Sequence, residues 1–588
     1  MLLSKRREFC FPEKISTKRQ MSADGAADLR RRAAPSARTR HGGEAIDLAE
    51  QIRLRAKPAR TSSRICRICL IAIVFVTQCR AGEPPAIERL IPAGGQRGTT
   101  VEVKLVGKPG DGDLRVVSEN NSIVFTPNEK KDGASVAISE TARPGVHWLR
   151  FCNADGATEL KPFIIGMIPE MAESEPNARI AEANAAALPS VTVNGVLEKS
   201  GDVDAFAVTL TKGQTIVCAM QAHAVIGSPM DAVLQVVDAH GTVLAQNDDD
   251  LGFDPRATFT APDDGKWFVR TFAFPAAPNS TIGFSGGADY VYRLTLTTAA
   301  VVEHTEPAIR FDQDNETSLS VFGWNITTPT VSLNREQQAL TEPYALPYPV
   351  PRCDVPSIAE SQLTAERMLI IPVAVTGRVT SNADVVFLFN ANKSQNLSLS
   401  VHAQRIGSML DPVLIVEDSQ GKVINEHDDL SGENHDAELH LTMPADGQYR
   451  AIIRDRFRNS GDRCFFLLRC EETRATVAAT LDSTAGTLKP EKPLEIPIKF
   501  ERKHSFSEPV DVRVEGLPVG VAFECPRSEK DGETAKSVTL KITGTTAEAF
   551  QGPIRIVAEA AESKHLQPVT FTTADETQIA EYWLTVPH

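Results

Sequence analysis

Short runs in which apolar and polar residues alternate recur from about residue 84 to the C-terminus, and long stretches of helical period are absent. Val101-Glu102-Val103-Lys104-Leu105 alternates with period two, and so do Phe206, Val208 and Leu210 within AFAVTL. Such alternation gives a strand one apolar face and one polar face, as half-buried antiparallel strands require. Gly, Pro, Asp and Asn bound the runs, which is the punctuation of sandwiches and barrels. The pattern predicts an all-β, multidomain chain of tandem antiparallel β-sandwiches.

An internal repeat organises the middle of the chain. Residues 227–250 (GSPMDAVLQVVDAHGTVLAQNDDD) and 407–430 (GSMLDPVLIVEDSQGKVINEHDDL) align without a gap at an offset of 180, with 11 of 24 positions identical. KGQTIVCAM (212–220) matches KSQNLSLSV (393–401) at 181, and Pro262-Asp263-Asp264-Gly265 matches Pro444-Ala445-Asp446-Gly447 at 182. Three blocks in one order with slowly drifting offsets describe a duplicated module with small loop insertions. Asp238 to Gly241 and Asp418 to Gly421 read as hairpin turns, with Gly taking positive φ. The expected division is 84–168 immunoglobulin-like, 169–300 first copy, 301–370 a β segment and Pro-rich linker, 371–473 second copy, and 474–588 immunoglobulin- or fibronectin-like.

The first copy carries Glu173-Ser174-Glu175-Pro176-Asn177, then Gly201-Asp202-Val203-Asp204-Ala205-Phe206, Gly213-Gln214, Asp231, Asn247-Asp248-Asp249, Asp264-Gly265 and Tyr290-Val291-Tyr292-Arg293-Leu294. In these residues it resembles the bacterial pre-peptidase C-terminal domain family, strongly over 170–300 and more weakly over 370–472. The resemblance implies jelly-roll or sandwich modules of the kind that accompany secreted peptidases as accessory domains. It also fits large secreted proteins with immunoglobulin-like neighbours.

Charge divides the chain. Residues 1–81 hold 18 Lys+Arg and 7 Asp+Glu, a net of +11; the whole chain is −14, so 82–588 carries −14 − 11 = −25. A polyanionic body argues against nucleic acid, whose phosphates require a basic surface. Ile68 to Val76 is a nine-residue apolar run preceded by Arg60, Arg64 and Arg67 and followed by Cys79-Arg80-Ala81. That is the order of a secretory signal, and the run is too short to span a bilayer. The expectations are therefore export to the periplasm, envelope or medium, no membrane anchor after cleavage, and a translation start later than Met1. Cys79 is an alternative lipidation site. Export permits disulfides among Cys152, Cys218, Cys353, Cys464, Cys470 and Cys525, with connectivity open. Cys464 and Cys470 lie in one extended run and are not expected to pair with each other.

No His-Glu-x-x-His occurs. Gly283-Phe284-Ser285-Gly286-Gly287 matches G-x-S-x-G but leads into a strand, not the helix that a nucleophile elbow needs. No catalytic residue is expected. The acidic residues Asp202, Asp204, Asp231, Asp248 and Asp249, with Asp250 and Asp254 nearby, are candidate calcium ligands, because calcium takes six to eight oxygens. Turn capping by each Asp is the competing account. On the gapless offset Asp384, Asp411, Asp428 and Asp429 are retained in the second copy, whereas Asp202, Asp250 and Asp254 become Asn382, Leu430 and Asn434. Any calcium site is therefore expected to be stronger in the first copy. Trp148, Trp267, Trp324 and Trp583 sit in strand-like runs and read as core, so no sugar-stacking surface is evident. The expected role is non-catalytic binding of an extracellular or envelope protein or polysaccharide. The alternatives are an accessory subunit of a secreted peptidase and a calcium- or glycan-binding module.

Overall fold

The computed structural model describes residues 82–587 except 120, 251, 278–282 and 433. The basic segment and the expected signal sequence within 1–81 lie outside the described residues. Among the described residues the regular elements are β-strands apart from three single-turn 3₁₀ segments, and the four- and five-stranded sheets lie in face-to-face pairs around separate cores.

The first sandwich pairs a sheet built on Thr100–Lys108 with one built on Gly145–Asn153 and Lys161–Gly166. In the first copy, one sheet runs Glu170–Ala172, Ser190–Val196, Val291–Thr297, Thr215–Gln221, Arg256–Thr260. The facing sheet runs Asn184–Ala185, Asp204–Leu210, Gly265–Pro275, Met230–Val237, Val243–Asn247. The second copy repeats this order strand for strand. It begins with Ser357–Ala359 in one sheet and Met368–Leu369 in the other. Its start is thus earlier than the expected 371. Those opening strands are two and three residues long, too short to register as alternation. Between the copies, Val301–Glu306, Glu316–Trp324 and Thr330–Asn334 form a three-stranded sheet. A final sandwich starts with Thr476–Leu481.

The shared turns work as their sequences require. Asp238 Oδ1 accepts the amides of His240 and Thr242, and Asp418 Oδ1 accepts those of Gln420 and Lys422. Gly241 and Gly421 adopt φ of 84° and 83°, where a Cβ would be strained. Asp264 and Asp446 each accept a backbone amide from the neighbouring turn, Lys212 at 2.7 Å and Lys393 at 2.6 Å.

The six cysteines are free thiols, and all but Cys525 are buried. Cys218 opposes Leu296 in the first copy and Leu399 opposes Cys470 in the second, so the two core thiols stand on opposite strands of the same cross-strand pair. No helix among the described residues is long and apolar enough to cross a membrane.

Candidate metal centre

Glu173, Glu175 and Asn177 follow the edge strand Glu170–Ala172 at alternate positions, while Asp202 and Asp204 lie at the start of Asp204–Leu210. The fold brings these segments together. One ligand atom each from Glu175, Asp202 and Asp204 falls within 4.8 Å of the others. Asp204 and Asn177 are completely buried, and Asp202 is 4% exposed.

Most oxygens here have partners. Tyr292 donates its hydroxyl to Asp204 Oδ2 at 2.6 Å or Glu173 Oε2 at 3.0 Å. Glu173 Oε1 accepts the Val196 amide, Asp202 Oδ2 accepts the Glu198 amide at 2.7 Å, and Glu175 Oε2 accepts the Asn177 amide at 2.9 Å. Two oxygens, Asn177 Oδ1 and Asp204 Oδ1, are buried with no partner, as is the hydroxyl of Thr271 across the strand from Asp204. The ion pairs of this copy lie elsewhere, at Arg293–Glu170, Arg256–Asp250 and Lys212–Asp263. Among the described residues no cation reaches the four carboxylates. Burial first, and then the neighbouring Glu173, pushes the Asp204 carboxyl up to about 9. Burial raises the Tyr292 hydroxyl as well, followed by Asp204 and Glu173. A buried acceptor without a donor costs about 1–3 kcal/mol, and both of these oxygens stand without one.

The comparisons with known proteins come from bacteria. No family model matches the chain. Over 166 residues it is 30% identical to a probable subtilase-type serine protease of Deinococcus radiodurans, covering 28% of this chain and 22% of that protein. The chain therefore spans only about a fifth of that relative. The solved structure of the M60 catalytic domain with the CBM51-1 and CBM51-2 domains from Clostridium perfringens ZmpB is similar at 7% identity. Its TM-score is 0.13, with 67% of this chain and 54% of that one covered, and it carries no further argument.

Pairing registers superimpose the two copies. Phe206 opposes Val269 as Phe387 opposes Ala451, and Leu210 opposes Gly265 as Ala391 opposes Gly447. On this register Asp204 coincides with Val385 and Asp202 with Ala383. The gapless alignment that retained Asp384 is thus corrected by one residue. A one-residue slip turns a side chain to the other face, and Asp384 indeed points outward to Arg458. Gly195 opposes Tyr292 where Gly377 opposes Phe466. By the same logic Glu173 and Glu175 coincide with Glu360 and Gln362, and Glu360 is paired with Arg367. The second copy therefore lacks this cluster of carboxylates.

Two other sequence-derived candidates move. Asp254 is not peculiar to the first copy. It accepts the amides of Ala222 and His223, just as Asp436 accepts those of Ala403 and Gln404, so Asp436 is its counterpart and not Asn434. Two extra residues in the second loop hid the match. Asp250 sits 4% exposed against Arg256 and Arg463, where it ties the first copy to the second. Asp231, Asp248 and Asp249 lie outside the group formed by Glu175, Asp202 and Asp204. Glu173, Glu175, Asn177 and Tyr292 were absent from the expected ligand set, although the alternation Glu-x-Glu-x-Asn was visible. Ser285 Oγ donates to the Gly283 carbonyl at 3.4 Å in an exposed loop.

Proposed function

We propose that the chain is an exported, non-catalytic modular protein whose first sandwich copy holds a calcium ion. Glu175, Asn177, Asp202 and Asp204 would hold the metal, with Glu173 and Tyr292 orienting them. The observation that carries this reading is the pair of buried, unpartnered oxygens of Asn177 and Asp204 beside carboxylates that lack a cation. Calcium supplies the missing charge and accepts hard oxygen ligands with flexible geometry. Its site joins the segment after the first sandwich to the body of the first copy, so the metal's role is structural and the binding of a partner falls to the surfaces that it holds in place. Calorimetric titration of the full chain tests this. One calcium site is expected in the wild type and none in Asp202→Asn/Asp204→Asn. Absence of heat at millimolar calcium contradicts it.

A second reading, an accessory module for a secreted peptidase, draws on the 166-residue likeness to a probable subtilase-type protease. Co-purification with a peptidase from the native culture medium supports it, and recovery of the chain alone opposes it.

A further inference from the structure

The outer face of the first copy carries an aromatic cluster. Phe272 and Phe274 are two apart on Gly265–Pro275 and share a face, and the Phe284 ring packs 4.6 Å from one and 5.3 Å from the other. Phe284 is 46% exposed. Asp231 lies directly across from Phe274 in the strand register, and Asp248 and Asp249 follow the neighbouring strand Val243–Asn247. Burial and then the charges of Asp249 and Asp248 hold the Asp231 carboxyl above its usual range. Among the described residues none of them forms an ion pair.

The second copy shows what such a triad holds. Its acids are Asp411, Asp428 and Asp429. Arg456 occupies the place of Phe274, since Val413 opposes Arg454 as Val233 opposes Phe272. One Arg456 nitrogen lies 2.8 Å from Asp428 and 2.6 Å from Asp429. His435 approaches Asp429 at 3.1 Å. With Asp254 matched to Asp436, His435 coincides with Phe253. Arg456 and His435 of the second copy are thus both phenylalanines in the first, while the three carboxylates stay.

We infer that this face of the first copy takes an arginine side chain from a partner polypeptide, in the place that Arg456 fills internally in the second copy. Two chemistries converge on a guanidinium: carboxylates to accept its hydrogen bonds and phenyl faces to stack on its plane. Lysine lacks the planar fork. Calcium needs converging oxygens, and Asp231, Asp248 and Asp249 are not among the groups of described residues whose ligand atoms all lie within 4.8 Å of one another. The net charge of −25 over residues 82–588, the chain total of −14 less the +11 of residues 1–81, draws a cationic segment inward.

The test uses the full chain with saturating calcium at about 0.15 M salt, where long-range attraction is screened. A fluorescent tetra-arginine peptide is titrated by anisotropy beside a tetra-lysine control. Wild type should bind the arginine peptide in preference. Phe274→Arg, which installs the residue of the second copy, should weaken it roughly tenfold, and Asp248→Asn/Asp249→Asn similarly. The latter changes exposed residues and leaves the fold intact. Equal binding of both peptides, unchanged binding by Phe274→Arg, or a second bound calcium lost in Asp248→Asn/Asp249→Asn would each overturn the inference.

Discussion

Exchanging the buried pair of the first copy for that of the second, Asp204→Val with Tyr292→Phe, separates a structural network from a metal site. Val385 and Phe466 occupy the same register positions, so the shapes are already compatible with the fold. Without metal, the wild type carries a buried Asp204 oxygen with no donor. Removing it recovers about 1–3 kcal/mol, and replacing a buried polar network by apolar groups of similar volume is neutral or stabilising. In EDTA the variant should therefore be at least as stable as wild type. With calcium near 100 times its dissociation constant, wild type gains about 2.7 kcal/mol by mass action, a shift of roughly 10 °C for a unit of this size. The variant gains nothing. Scanning calorimetry that resolves the first-copy transition should show the order of the two proteins reverse on adding calcium. A variant destabilised by more than about 2 kcal/mol in EDTA, or a wild-type transition indifferent to calcium, would refute the reasoning.

Further outcomes follow from other buried groups. His304 is 1% exposed, stacked between Phe322 and Phe465, and burial, then Arg378, lowers it to about 3. A depressed histidine stabilises fully above its unfolded value of 6.5 and loses that contribution as pH falls toward 3. Thermal midpoints between pH 7 and 4 should therefore fall more steeply in wild type than in His304→Phe; parallel curves would contradict this. Asp250→Ala strands Arg256 and leaves Arg463 with Glu303 alone; both arginines also stack on Trp324. It should cost about 2–3 kcal/mol by denaturant midpoint, below the usual figure for a fully buried pair because Arg463 is partly exposed. Mass spectrometry of the mature chain should count six alkylated cysteines after unfolding without reductant, with Cys525 reacting first in the native state. A smaller count would mean disulfides.

The fold class was legible because strands such as Val101 to Leu105 and Phe206 to Leu210 alternate cleanly and because Asp238, Gly241 and their partners recur in both copies. The short opening strands Ser357–Ala359 and Met368–Leu369 were not, since two or three residues carry no period. Asp202 and Asp204 were singled out from the sequence, and the fold brings them together with Glu175. Asp231, Asp248 and Asp249 lie apart from that pair, because loop carboxylates look alike until the fold says which loops meet. The equivalence of Asp204 with Val385 required the pairing register, since a gapless alignment cannot see a one-residue slip. The aromatic face was missed for a related reason. Phe272 and Phe274 are close neighbours in sequence, but Phe284 joins them only through the fold.

The central claim is tested most directly by a crystal of the full chain grown with calcium and measured for anomalous scattering. A single strong peak ligated by Asn177 Oδ1 and Asp204 Oδ1, with Glu175 and Asp202 completing the shell, is the predicted result. No peak there, or a peak among Asp231, Asp248 and Asp249 instead, would contradict it.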